Sequence, residues 1–525
     1  MFEGIKNLFK SKSSLALLGI ILLSIFFRFF LLGTVPPGLY PDVAVNGMDA
    51  IHANETGDYK IFYPANNGRE GLFMNMSAVV FKVFGTGLWQ LRAAGALAGV
   101  LTVIGIYLLG KEIFDKRIGI FVALFMSTSF WAVGFSRIGF RAILVPFVLV
   151  WGSYFLFKAF KGNRFIYYIL SGLVFGLGFH TYIAYKAAVL IFAVIFGYKI
   201  FLEKGYFKKS WLRIGVFGIG LVLLAFPILY YQQTHKGDAA RTGQVSVFNP
   251  AVNKGNLVKT LAITSAKGLG MYNFYGDPNS RHNFKSLPAL NPLVGIAFLF
   301  GLYVSFKFIF QNFKNRDDQF FGFLFLIIDF FVMMIPSVLT EEGMPHSLRA
   351  IGTMPFAFLF AGIGVDFLLK NKKFKVKNIL IPLLGLIILV DFTLYFVVWA
   401  QSPETRGQFN ESYVEASRYL NTQPKSEKKY VIINTGGVLV DGLPVAAQTY
   451  KFVTYGKSQV DFLTEDQAIA TRFEKGSIVI LAIKDEKLIR VLNLKCPGGG
   501  LYTYNPGEPM EFSAFKISQN ESCIR

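Results

Sequence analysis

Residues 36–73 read PPGLYPDVAVNGMDAIHANETGDYKIFYPANNGREGLF. This stretch follows the first long apolar run and is too polar to cross a bilayer. Its charged side chains are Asp42, Asp49, Glu55, Asp58, Lys60, Arg69 and Glu70. Pro36 and Pro37 end the preceding helix, because proline lacks the N–H and fixes φ. Asp42 then falls at the expected start of a new short helix, where a negative side chain is stabilised by the helix N-terminus. One reading makes Asp42 only a cap. The other places it at the water–lipid boundary as a site residue.

The rest of the chain makes the stretch an outer loop of a membrane protein. Of 525 residues, 53% are hydrophobic, 57 are Phe and only 16% are charged, against roughly 25% charged in soluble domains. A net charge of +21 would suggest nucleic acid, but the basic residues sit in short turns between apolar runs. That is the positive-inside pattern and not a binding face, so no nucleic-acid partner is expected.

About eleven spans are expected, at 15–32, 88–110, 118–135, 142–159, 165–180, 183–202, 211–231, 291–311, 320–338, 350–370 and 378–399. The first is read as a retained helix and not a cleaved signal peptide. The run 73–84 is too short to span and reads as an interfacial helix. Basic turns at 111–117, 158–164, 199–213, 307–316 and 370–377 fall on the side of the N-terminus, which carries Lys6, Lys10 and Lys12. They alternate with lysine-poor turns at 136–141, 180–186 and 340–349. The N-terminus is therefore expected in the cytoplasm of a bacterial-type plasma membrane. The first loop, the 232–290 loop and the tail from about 400 are expected outside.

Residues 1–400 form the expected transmembrane domain. Residues 401–525 form a small α/β domain, with strands at KKYVIINTGG and GSIVILAIK and a helix at YVEASRYLNT. KCPGGGLYTYNPGEP reads as loop. Cys496 and Cys523 both lie in this tail. Outside the cytoplasm they could pair; otherwise they are two free thiols. No Cys/His cluster has zinc spacing.

Three outer polar clusters stand out: Asp42 with GREGLF at 68–73, MYNFYGDPNSRHNF at 271–284, and GMPHSLRAIGTMP at 343–355. Two short outer turns add Arg137, Arg141, His180, Tyr182 and Lys186. Together these suit a site that binds an anion and deprotonates something else. The order of YPDVAVNGMDA, GREGLFMNM, FGTGLWQLRAAGALAGVLTV, SRIGFRAILVPF, HTYIAYKAAVL, GDPNSRHNF and PHSLRAIGTMP resembles the C-type glycosyltransferase (GT-C) superfamily. More narrowly it is similar to the bacterial protein O-mannosyltransferase and aminoarabinose transferase group (glycosyltransferase family 39-like). The resemblance covers roughly residues 15–370.

It implies an α-helical polytopic fold of GT-C type and an enzyme that moves a sugar from a polyprenyl-phosphate carrier to an acceptor hydroxyl on a glycan, lipid or protein. Asp42 occupies the position of that group's base. The group often has Asp-Glu there and this chain has Asp42-Val43, which leaves Asp49, Glu70 or Asp277 as second-carboxylate candidates.

The chemistry does not require the second group. A phosphate leaves as a stable anion, so one base suffices, unlike the paired carboxylates of glycosidases. The departing phosphate needs fixed cations, for which Arg349, Arg137, Arg141 and Lys186 are nominated. A single displacement inverts the anomeric carbon. Arg69, Tyr182, Arg281, His282 and His346 are candidate sugar or acceptor contacts. No cofactor is expected, and no obligatory metal, since the paired acidic motifs of related oligosaccharyltransferases are missing. Asp329, Asp366 and Asp391, in or near spans, are read as interhelical hydrogen-bonding groups. Asn54, Asn75, Asn410 and Asn520 open glycosylation triplets of the kind that arises by chance. The competing function is a transporter or flippase for a lipid-linked substrate, which would tend to show repeated halves. A scaffold displaying its tail is a third reading.

Overall fold

The computed structural model describes residues 12–202, 205–236, 246–371, 376–520 and 523. Lys6, Lys10, Lys204, half of the 370–377 turn and part of the Asn520 triplet lie outside the described residues. The chain divides into two compact units. One comprises Met1–Phe30, Glu70–Phe73 and Ala93–Val397; the other comprises Leu31–Arg69, Met74–Arg92 and Val398–Arg525.

Each expected span is helical. Among the described residues, eight helices are long and apolar enough to cross a membrane, or up to nine if a bent pair counts as one span. The remaining two expected spans are shorter apolar helices, Ser13–Phe29 and Phe165–His180. Leu72–Phe84 is a 13-residue helix, in keeping with its reading as too short to span.

The expected span at 118–135 is broken. Lys116–Thr128 and Phe130–Ile138 meet at 55°, because Ser129 takes ψ 128° and leaves helical space. The break frees carbonyls at the end of the first segment. Arg28, fully buried in its own span, donates to Met126 O at 3.1 Å and Ser127 O at 2.9 Å. Arg137 does the reverse, donating to Phe27 O at 2.9 Å and Phe30 O at 2.6 Å. Arg28 thus closes the end of Lys116–Thr128 and Arg137 the end of Arg28's helix, which offsets the cost of their burial. Pro292–Gln311 and Met354–Lys370 pack backbone to backbone. A Cβ on Gly301 would lie 1.7 Å from Phe360 O, and one on Gly364 would lie 1.8 Å from Ala297 O. Small residues at such contacts let membrane helices approach closely.

The intramembrane acids differ from one another. Asp391 accepts from Thr128 at 3.2 Å and Asn291 at 3.1 Å, as the sequence suggested. Asp366 instead pairs with Arg117 at 3.4 Å and Lys370 at 2.6 Å. Asp329 is fully buried, and neither oxygen has a partner among the described residues, so interhelical hydrogen bonding does not hold for it.

In the second unit the tail folds around a five-stranded sheet: β1 Lys429–Ile433, β2 Asp461–Thr464, β3 Ile478–Leu481, β4 Gly500–Tyr504 and β5 Phe512–Lys516. The order is β2-β1-β3-β5-β4, with β1 parallel to β2 and β3 and the β3-β5-β4 edge antiparallel. Side chains alternate across β1. Tyr430 and Ile432 join the core with Leu488 and Leu492, while Val431 and Ile433 join the core with Leu420 and Tyr450. Both strands expected from sequence form, and so does the helix, at Glu411–Thr422. The segment read as loop contains β4, whose half-exposed glycine–tyrosine pattern hid it. Cys496 and Cys523 are disulfide-bonded.

The sequence boundary at 400 separates the tail as a chain segment, yet residues 31–69 belong to the same compact unit as the tail. Helix Pro41–Thr56 rests on helix Ala447–Thr454. Thr449 Oγ1 donates to Leu39 O at 3.1 Å, and Tyr455 OH donates to Glu55 at 2.6 Å. Gly47 leaves room for the Phe452 ring, which a Cβ there would meet at 2.6 Å.

Candidate active site

Helix Pro41–Thr56 opens with Pro41 in its first turn and ends on Gly57 at φ 77°. Both positions suit those residues, since proline's fixed φ fits the start and glycine tolerates the left-handed end. Asp42 is in the first turn and half-buried. The turn Asn66-Asn67-Gly68 has positive φ at all three residues, 53°, 65° and 76°. It delivers the Asn66 amide to Asp42, with Nδ2 donating to Oδ1 at 3.0 Å. Asn66 was not singled out from sequence, although an Asn-Asn-Gly run in a loop is a turn signal.

The other candidate carboxylates are committed. Asp49 pairs with Arg69 at 2.7 Å, and Arg69 Nη1 also donates to Asn46 Oδ1 at 2.9 Å. Burial pushes the Asp49 pKa up and the Arg69 guanidinium only partly offsets it. In the other unit Glu70 accepts from Arg141 Nε at 2.7 Å, and that guanidinium lies 5.3 Å from the Tyr182 ring centre. Asp277 is fully buried and holds His282 Nδ1 at 2.9 Å. Burial raises its pKa, but the hydrogen bond from His282 and the nearby imidazoles outweigh that and bring it below the ordinary value.

The candidate cations separate likewise. Arg349 pairs with Glu342 at 2.9 Å. Arg141 is occupied by Glu70. Lys186 is exposed and makes no ion pair among the described residues. Arg137 is fully buried, its Nη1 and Nη2 turned to helix carbonyls and its guanidinium 5.0 Å from the Phe396 ring centre. This placement commits both Nη atoms of Arg137 to capping a helix end. Arg281 Nε donates to Asn279 Oδ1 at 3.2 Å. His282 and His346 lie 5.2 Å apart, centre to centre. In the second unit a cleft of about 380 Å³ is lined by Thr86, Trp89, Gln90, Arg418, Asn421 and Tyr455; Asp42 is not part of its wall.

Residues 72–231 match the family described as "Dolichyl-phosphate-mannose-protein mannosyltransferase". A segment of 106 residues is 32% identical to YkcB of Bacillus subtilis (strain 168), named as a mannosyltransferase candidate. It is 20% of this chain and only 14% of that protein's length. The fold is similar over nearly the whole chain to ArnT from Cupriavidus metallidurans. Against ArnT bound to undecaprenyl phosphate the TM-score is 0.56, with 12% identity over 95% of this chain and 97% of that one. Against its apo state the score is 0.58, with 11% identity over 96% and 98%. An archaeal oligosaccharyltransferase, AglB from Archaeoglobus fulgidus, in complex with an inhibitory peptide and a dolichol-phosphate, aligns at 0.52. There the identity is 14%, over 86% of this chain and 64% of that one. The chain therefore has the GT-C fold: a polytopic helical membrane protein with a small sheet-containing C-terminal region.

Proposed function

We propose that this GT-C-fold protein is a membrane glycosyltransferase that takes a sugar from a polyprenyl-phosphate carrier and passes it to an acceptor hydroxyl, with Asp42 as general base. The match of residues 72–231 to a mannosyltransferase family and the ArnT-like fold support the reaction class. The observation that carries the assignment of the base is the pairing of the loop acids. Asp49, Glu70 and Asp277 each face a cation or a histidine, whereas Asp42 is half-buried beside a neutral amide.

The Asn66 N–H fixes one carboxylate oxygen and leaves the other to take the acceptor's proton. The acceptor oxygen attacks the anomeric carbon as the bond to the carrier phosphate breaks. The electron pair leaves with that phosphate, whose charge needs guanidinium or ammonium partners. Arg349, Arg141 and Lys186 are the residues proposed to supply them, by exchange of Arg349 from Glu342 and of Arg141 from Glu70. The attack inverts the anomeric configuration. The site would work on the outer face of a bacterial-type membrane, with the N-terminus cytoplasmic and the acceptor a glycan, lipid or protein.

The test is Asp42→Asn in the full-length protein, with glycolipids and glycans of cells carrying wild type or variant read by mass spectrometry. A positioned base contributes roughly 10²–10⁴-fold, so the product should fall by at least about 100-fold at unchanged protein level. Undiminished product would reject the base. Product with retained configuration would reject the single displacement.

A further inference from the structure

Two loops of the first unit meet around one buried carboxylate. Asp277, from the loop between Leu257–Gly270 and Pro292–Gln311, is fully buried. Its Oδ1 accepts from Asn279 N at 2.8 Å, and its Oδ2 accepts from Ser347 N at 2.7 Å. His282 Nδ1 lies 2.9 Å from Oδ2, and His346 Nδ1, from the loop after Asp318–Val338, lies 3.9 Å from it. One donor atom from each of Asp277, His282 and His346 falls within 4.8 Å of the others.

His346 supplies a second observation. Its Nδ1 is buried and has no hydrogen-bond partner among the described residues. Orphaned buried polar atoms are uncommon, and a bound ion is one cause of them. A neutral imidazole nitrogen is a metal ligand.

We propose that Asp277, His282 and His346 bind one divalent cation of the zinc class, which clamps the two loops together. Two imidazole nitrogens and one carboxylate oxygen suit zinc and its borderline neighbours; magnesium and calcium prefer all-oxygen shells. Zinc bonds of about 2.0–2.2 Å in tetrahedral geometry put ligand atoms about 3.4 Å apart. The separations of 2.9 and 3.9 Å from the shared oxygen bracket that value. If His282 ligates through Nδ1, its ring proton moves to Nε2, the bond to Asp277 is exchanged for metal bonds, and nothing is oxidised or reduced. Three protein ligands leave a fourth position for water or an anion. Sequence reading expected no obligatory metal for want of paired acidic motifs; these three ligands are brought together only by loop packing.

The test uses full-length protein with a histidine-free affinity tag, stripped with EDTA, exchanged into metal-free buffer and titrated with Zn²⁺ alone. Wild type should bind one equivalent and melt at a higher temperature with Zn²⁺ than without. His346→Ala removes no existing Nδ1 hydrogen bond, so folding should survive. Its zinc affinity should fall by at least about 100-fold, with the zinc-dependent rise in melting temperature lost. No binding by wild type, or equal binding by the variant, would overturn the proposal. X-ray absorption at the zinc edge of the wild-type protein gives a reading independent of the variant. Two imidazoles in the shell support the site, and an all-oxygen shell refutes it.

Discussion

Asp42 and Asp49 lie on the same helix but differ in what faces them. Asp42 accepts from the Asn66 amide, whereas Asp49 is ion-paired with Arg69. Asn66→Ala should therefore slow turnover roughly 3- to 10-fold, the effect of losing about 1 kcal/mol of hydrogen bonding, while the thermal midpoint stays close to wild type. Steady-state kinetics alongside a melt would show it, and a large loss of stability with unchanged rate would contradict it. Arg69→Ala is expected to act the other way round. It strands the half-buried Asp49 carboxylate, a change that costs up to roughly 3 kcal/mol, so denaturant or thermal unfolding should report destabilisation. Asp42's place at a helix start was legible in Tyr-Pro-Asp, because proline and acid are local signals. The choice among the four loop acids was not legible, because their partners come from other parts of the chain.

Hydropathy marked every spanning helix at the scale of the element, since burial in lipid imposes a continuous apolar run. It missed the break at Ser129, because a 55° bend leaves hydropathy unchanged. Nor does hydropathy show that Arg28 closes the end of Lys116–Thr128 while Arg137 closes the end of Arg28's helix. Helix Pro41–Thr56 is held in its unit by tight packing on Ala447–Thr454. Gly47→Val would drive a branched side chain into Phe452. Overpacking of this kind costs typically 1–3 kcal/mol, so the variant should melt earlier and lose transfer activity together. Phe452→Ala in the same chain should restore part of the melting temperature. Failure of the pair to couple would show that the contact does not hold the helix.

The whole molecule ties its tail with one disulfide and folds that tail into one unit with the loop after the first apolar helix. Replacing both cysteines with serine opens a loop spanning a sequence separation of 27 residues, worth roughly 3–4 kcal/mol in the chain-entropy account. Limited proteolysis should then cut within 496–523 sooner than in wild type, and an unchanged cleavage rate would show that the bond adds little. The sequence alone determined a many-span membrane protein with a basic-turn asymmetry, a tail containing two buried strands, and an acid at the start of the first loop helix. Each of these is written in neighbouring residues, as hydropathy, charge or turn chemistry. Only the tertiary structure decided which loop acids are paired, that Arg137 caps a helix, and that Asp277, His282 and His346 meet. Those facts depend on side chains far apart along the chain, and packing alone sets the distances between them.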